Sequence, residues 1–214
     1  RLGAFNMHGS LLPKYRGRAP VNWAVLHGER ETGATLHVMT ARPDAGAIVE
    51  REAVPILPDD TAFEVFRKVT VAAELTLQRS LPALIAGTAP HVPQDPAAAS
   101  YFGRRRPRDG AIDWRRGVAA VHNLVRAVAP PYPGAFSEAD GMPLLVRRSL
   151  PGPAQLRAAG PQLRWHDGRV QALCGDGALA LLEFELDARI DSAEAFQRAF
   201  GTRALSLRPV MEPS

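Results

Sequence analysis

Asn6 and His8 stand two positions apart in the run Asn6-Met-His-Gly-Ser-Leu-Leu-Pro13. On a β-strand, residues two apart project to the same side. The apolar stretch from Leu2 to His8, stopped by Gly9, reads as a buried strand entering a loop. Both side chains are therefore expected at the carboxyl end of a strand, where open α/β sheets place their ligands. An amide donor beside an imidazole suits acyl transfer: the amide hydrogen-bonds a developing oxyanion while the imidazole moves a proton. Asp44, in a turn after a neighbouring strand, can orient His8 or stabilise its charged form. The same trio also occurs as an ordinary core or loop feature, so the spacing alone does not decide.

The elements that must position these residues follow from local pattern. The loop from Gly9 to Arg18 carries Pro13, Lys14 and Arg16, and Pro20 suits the first turn of a helix ending near Gly28. Gly33–Met39 and Ala47–Val54 read as strands, with a turn over Pro43–Gly46 between them. Asp59 or Asp60 is expected to cap a long helix whose apolar positions Val65, Phe66, Val69, Ala72 and Ala73 recur at helical spacing. Pro82 is expected to kink or break it, and Gly87 to stop it. Alternating strands and helices predict an α/β layer with a mostly parallel sheet. Thr88–Ser100, rich in proline and alanine, reads as a linker. After it come one helix through Val118–Val128 and several short strands with tight turns at Asp167-Gly168 and Asp176-Gly177, the pattern of a small β-barrel.

Composition narrows the class. Apolar residues at 46% and charged residues at 22% exclude a disordered or fibrous chain. No apolar run reaches the about 18 residues of a membrane span. The one cysteine, Cys174, cannot form an internal disulfide and predicts a reducing, cytoplasmic setting; in its apolar run it reads as a buried, inert thiol. The formal charge of +4 admits an anionic partner, but the cations are nearly all arginine, which a genomic composition bias also produces. Arg104, Arg105, Arg106 and Arg108 form the one local concentration. His27, His37, His91, His122 and His166 show no metal-ligand spacing and read as surface or core histidines, so no metal is expected. Trp23 and Trp114 read as packing residues.

The blocks Asn6-Met-His-Gly-Ser-Leu-Leu-Pro-Lys-Tyr-Arg-Gly17, Glu31-Thr-Gly33 and Asp44-Ala-Gly46 occur in an order that resembles the folate-dependent formyltransferases. That family includes methionyl-tRNA formyltransferase and the sugar-nucleotide formyltransferases. The resemblance implies the second half of a Rossmann-like formyltransferase domain over residues 1–95, then a small OB-like β-barrel domain over 96–214. It implies a catalytic set of Asn6, His8 and Asp44, and a folate contact through Thr40, Ala41, Arg42, Pro43 and Asp44. The implied co-substrate is 10-formyltetrahydrofolate, whose formyl group passes to a primary amine without a metal. Which of His8 and Asp44 first accepts the amine proton stays open.

Several blocks resemble the UDP-4-amino-4-deoxy-L-arabinose formyltransferases in particular, which would imply lipid A modification and polymyxin resistance. These are His8-Gly9, Arg16-Gly-Arg-Ala-Pro-Val-Asn-Trp23, Asp44-Ala-Gly-Ala-Ile48, Tyr101-Phe-Gly-Arg-Arg-Arg-Pro107 and Tyr132-Pro-Gly-Ala-Phe136. A sugar nucleotide carries two phosphates, and arginine forks bind phosphate oxygens bidentately. Arg18, Arg104 and Arg105 are candidates for that contact, with Tyr132 available for stacking; the alternative for each arginine is solvation. The partners expected are the sugar nucleotide and folate, with no membrane and with oligomerisation open. tRNA is a partner under the alternative of a methionyl-tRNA formyltransferase. A reading of another class is a basic nucleic-acid-binding module without catalysis. Finally, the chain begins at Arg1, and the resemblance implies that roughly another hundred residues of α/β structure precede the Asn6–His8 strand, so an amino-terminally truncated piece with an open sheet edge is expected.

Overall fold

The computed structural model describes residues 3–208; Arg1 and Leu2, at the start of the expected first strand, lie outside the described residues, as do 209–214. The chain forms two compact units, Arg1–Arg105 and Arg106–Ser214.

The first unit contains β1 (Phe5–His8), β2 (Arg16–Gly17), α1 (Pro20–Leu26), β3 (Glu31–Val38), β4 (Ile48–Pro55), α2 (Ala62–Ala86) and β5 (Tyr101–Phe102). β1, β3 and β4 form one sheet in that order. Its register sets Asn6 against His37 and His8 against Thr35. α2 packs on β3 and β4 through the face Val65, Val69, Ala72 and Thr76.

The α/β class is as expected, but the described sheet is not mostly parallel: both of its pairings are antiparallel. Alternating helices and strands suggest parallel pairing only when each helix carries the chain back along the sheet. Here β3 runs back antiparallel beside β1, so residues 9–30 return the chain to the end of the sheet where β1 finishes. β4 then follows β3 through a turn, too short for a parallel crossover.

α2 begins one residue later than the expected aspartate caps. Thr61 is the N-cap, and it forms a capping box with Glu64: the Thr61 N–H donates to Glu64 Oε2 at 2.7 Å and the Glu64 N–H to Thr61 Oγ1 at 3.3 Å. Asp60 instead accepts from the Leu57 N–H and pairs with Lys68. The helix continues through Pro82 to Ala86. A proline so near the end removes one ladder bond where the helix is about to stop at Gly87, whose φ of 70° suits a glycine.

The first unit extends past the expected boundary at residue 95. Val92 bridges to Ile48, and β5 pairs in parallel with β2, so the stretch read as a linker is bound to this unit.

The second unit contains α3 (Val118–Val128), β6 (Ala135–Ala139), β7 (Met142–Pro151), β8 (Gln162–His166), β9 (Arg169–Leu173), β10 (Ala178–Leu186), α4 (Ala193–Phe200) and β11 (Leu205–Arg208). Its six strands close into a barrel in the order β10-β7-β6-β11-β8-β9, antiparallel at every ladder of the ring. Alternate residues such as Leu144, Val146, Leu163, Val170 and Leu179 fill its interior. Trp114 is buried as a packing residue and donates its indole N–H to Ser137 Oγ at 2.6 Å. Among the described residues, no helix is long and apolar enough to cross a membrane.

Two predictions follow from these elements. Thr61→Ala should lower stability by about 1 kcal/mol in urea unfolding, with Thr61→Ser close to wild type. Cys174 is half-buried, and burial, with a smaller contribution from Asp176, pushes its thiol up to about 12. It therefore stays protonated at pH 8, and iodoacetamide should label it far more slowly in the folded protein than in urea.

Candidate active site

β1 alternates as the sequence requires, so Asn6 and His8 share one side, and the adjacent strand β3 brings His37 directly opposite Asn6. The turn after β3 brings Asp44 to the same place. Its carboxylate is the centre of the group. Asp44 Oδ2 accepts the Gly17 N–H at 2.8 Å. Asp44 Oδ1 faces Asn6 Nδ2 at 3.5 Å, His8 Nδ1 at 3.6 Å and His37 Nε2 at 3.6 Å. His8 and His37 are buried, and Asp44 is half-buried.

Hydrogen bonds fix which nitrogen of each ring can take a proton. A backbone carbonyl only accepts. His8 Nε2 therefore donates to the Tyr15 carbonyl at 2.8 Å, and in the neutral ring Nδ1 is the free acceptor, turned to Asp44. In the same way His37 Nδ1 donates to the Val38 carbonyl at 2.9 Å, so its Nε2 accepts from Asn6 Nδ2 at 3.2 Å. The Asn6 amide is thus oriented with its nitrogen towards the cluster. A base, an amide donor and a carboxylate converge, which is the equipment for moving a proton while stabilising a developing oxyanion.

The loops that hold these groups take backbone conformations that few residues adopt. Tyr15 and Asp44 both have positive φ, 59° and 53°. Tyr15 is anchored by its phenol, which donates to Glu29 Oε1 at 2.8 Å and lies 3.1 Å from His27 Nδ1. Burial and the Glu29 carboxylate both push that phenol well above its ordinary range, so it is a neutral anchor for the carbonyl that holds His8.

The remaining expected residues fall in three places. Thr40, Ala41, Arg42 and Pro43 form an exposed loop leading into Asp44, closed by a Thr40 Oγ1 to Arg42 carbonyl hydrogen bond of 2.8 Å. Arg18 and Arg104 are exposed, whereas the Arg105 guanidinium lies over the Trp23 ring, 4.8 Å from its centroid. Trp23 in turn stacks on Phe102, in keeping with a packing residue. Tyr132 belongs to the second unit, half-buried in the turn between α3 and β6.

His37, expected to be a surface or core histidine, is a core residue, 2% exposed, and it also stands in the cluster. The available signal was strand alternation: a histidine on the strand that pairs with β1 can face Asn6 once the register is known. Gln94, in the stretch read as a linker, was also missed, and it donates to the carbonyls on either side of Ala45.

Residues 1–81 match the formyl transferase family and residues 105–200 match the formyl transferase C-terminal domain. Together the two matches take in most of the chain, which belongs to the formyl transferase family. Solved structures with similar folds include the following three. One is the N-formyltransferase from Helicobacter canadensis in complex with folinic acid and dTDP-3-aminofucose, at TM-score 0.70 and 23% identity, covering 83% of this chain and 65% of that one. Another is WlaRD, a sugar 3N-formyl transferase with dTDP and 5-N-formyl-THF, at TM-score 0.69 and 22% identity, covering 83% of this chain and 64% of that one. The third is HypX from Aquifex aeolicus in complex with tetrahydrofolic acid, at TM-score 0.67 and 22% identity, covering 92% of this chain and 34% of that one. The chain therefore spans less than two thirds of the length of each.

Gly46 tests how tightly the Asp44 turn is built. A Cβ there would collide with the Val38 carbonyl. Gly46→Ala should destabilise the protein by about 1–3 kcal/mol in thermal or urea unfolding, as overpacking does.

Proposed function

We propose that this chain is the part of a 10-formyltetrahydrofolate-dependent N-formyltransferase that carries its proton-transfer groups. The observation that supports this most directly is the convergence of Asn6 and His8 on one oxygen of the Asp44 carboxylate, within a chain of the formyl transferase family. The formyl donor is a co-substrate, consumed in each turnover. An amine nitrogen adds to its formyl carbon and the carbonyl oxygen takes up the negative charge. Asn6 Nδ2 gives one hydrogen to His37 and the other, over 3.5 Å, to Asp44 Oδ1, and its proposed role is to redirect that weak second bond to the oxyanion. His8 Nδ1, the acceptor nitrogen, takes the proton that the amine loses, and Asp44 Oδ1 stabilises the resulting imidazolium. The proton then passes to the folate nitrogen as its bond to the formyl carbon breaks. This assigns His8 as first acceptor, with Asp44 as its electrostatic partner.

The acceptor we propose is the amine of a sugar nucleotide, with UDP-4-amino-4-deoxy-L-arabinose as the specific candidate. Support comes from the arginine-rich blocks around Arg18 and Arg104 and from similar structures, an N-formyltransferase with dTDP-3-aminofucose and a sugar 3N-formyl transferase with dTDP. The exposed 40–43 loop beside Asp44 is the proposed folate contact, and Arg18 and Arg104 are proposed to meet the nucleotide. Arg105, engaged with Trp23, is the weakest member of that set.

The test is formyl transfer by the full-length enzyme, offered UDP-4-amino-4-deoxy-L-arabinose, a dTDP-amino sugar and methionyl-tRNA side by side. Formylation of the UDP sugar is expected; formylated tRNA with both sugars untouched overturns the substrate reading. Asn6→Ala and His8→Ala should each lower kcat by about 100-fold or more, and near-normal turnover removes that residue from the mechanism.

A further inference from the structure

The stretch between α2 and β5 lacks any catalytic motif, yet it sets a side-chain bridge against the turn that holds Asp44. Val92 and Ile48 exchange both backbone hydrogen bonds at 2.8 Å, and β5 pairs with β2, so the stretch is pinned at both ends. Between the pins stands Gln94. Its Oε1 accepts from Arg16 Nε at 3.1 Å and Arg16 Nη2 at 2.7 Å. Its Nε2 donates to the Asp44 carbonyl at 2.9 Å and the Gly46 carbonyl at 2.7 Å.

The orientation of this amide is forced. A guanidinium only donates and a backbone carbonyl only accepts, so the oxygen must face Arg16 and the nitrogen must face the turn. Arg16 is 4% exposed, so its charge-assisted bonds to Gln94 are sheltered from water. The two carbonyls flank Ala45, and the clamp therefore spans the turn in which Asp44 takes its positive φ of 53°. Aspartate tolerates that conformation better than most residues with a Cβ, and the clamp holds the turn in it. The same arginine segment supplies the Gly17 N–H to Asp44 Oδ2, so backbone and carboxylate are fixed from one side.

The geometry points to Gln94 as a positioning residue: through the Asp44 and Gly46 carbonyls it sets where the Asp44 carboxylate stands relative to His8. This rests on the formyl-transfer reading above for its effect on rate, but not for its effect on structure.

The discriminating variant is Gln94→Glu in the full-length enzyme. A carboxylate keeps the acceptors for Arg16 and removes both donors to the turn, leaving oxygen against oxygen. We expect kcat to fall about 10-fold or more with KM for both substrates within about twofold, since misplacement by an ångström has costs of that order. Hydrogen-exchange protection of the Gly17 N–H should fall, while that of the Arg16 N–H, which donates to the Ser100 carbonyl, should persist. In an Asp44→Asn background the same change should cost less than about twofold, because residues acting through one another are not additive. Should Gln94→Glu fail to fold, Gln94→Met, which also lacks the donors, should show the same loss of protection at Gly17. Unchanged Gly17 protection, or an equal rate loss with and without Asp44, overturns the proposal. A wild-type enzyme that transfers no formyl group overturns the functional reading instead, and the exchange result still decides whether Gln94 holds the turn.

Discussion

One oxygen of the Asp44 carboxylate is bound to the Gly17 N–H, and the other faces three nitrogens from two paired strands. A carboxylate drawn this far out of water needs hydrogen-bond donors to offset its lost hydration. The first unit is arranged to supply them. Asn6 on β1 and the Gly17 N–H, fixed by the parallel pairing of β2 with β5, are those donors, while His8 and His37 bring acceptor nitrogens that a proton would turn into donors. Asn6 holds a long 3.5 Å bond to Oδ1 and the two histidine nitrogens stand at 3.6 Å, so the carboxylate attracts a proton arriving on either ring rather than the neutral rings themselves.

The two histidines share a design. Each commits one ring nitrogen to a backbone carbonyl, Tyr15 for His8 and Val38 for His37, and turns the other towards Asp44. In the neutral rings those inward nitrogens are acceptors, and a proton arriving on either would face a carboxylate. The asymmetry lies in what else they meet: His37 Nε2 is engaged by the Asn6 amide, whereas His8 Nδ1 has Asp44 as its one charged neighbour in the cluster. That difference leaves the inward nitrogen of His8 without the amide partner that His37 has.

Much of this was legible before any coordinate. Asn6 and His8 on one side of a strand follow from period-two alternation, and the long helix and the closed barrel follow from hydrophobic spacing and turn signals. The failures have physical causes. The sheet was expected to be mostly parallel because alternating elements do not record where a connection returns the chain. The helix cap fell on Thr61 rather than Asp59 or Asp60 because three adjacent residues can all cap, and Glu64 at the right offset selects one of them. The stretch around Gln94 looked featureless because its order comes from partners that lie far from it in the chain.

The sequence by itself determined the residue types, their local periodicity and the ordered blocks of the formyl transferase family, since these depend on neighbours a few positions away. Only the tertiary structure decided that His37 joins the cluster, that Arg105 lies on Trp23, and that Gln94 spans from Arg16 to the Asp44 turn. Register and side-chain pairing between distant segments arise from closing long loops and satisfying buried polar groups. Those constraints act on the whole folded unit, and no local pattern records them.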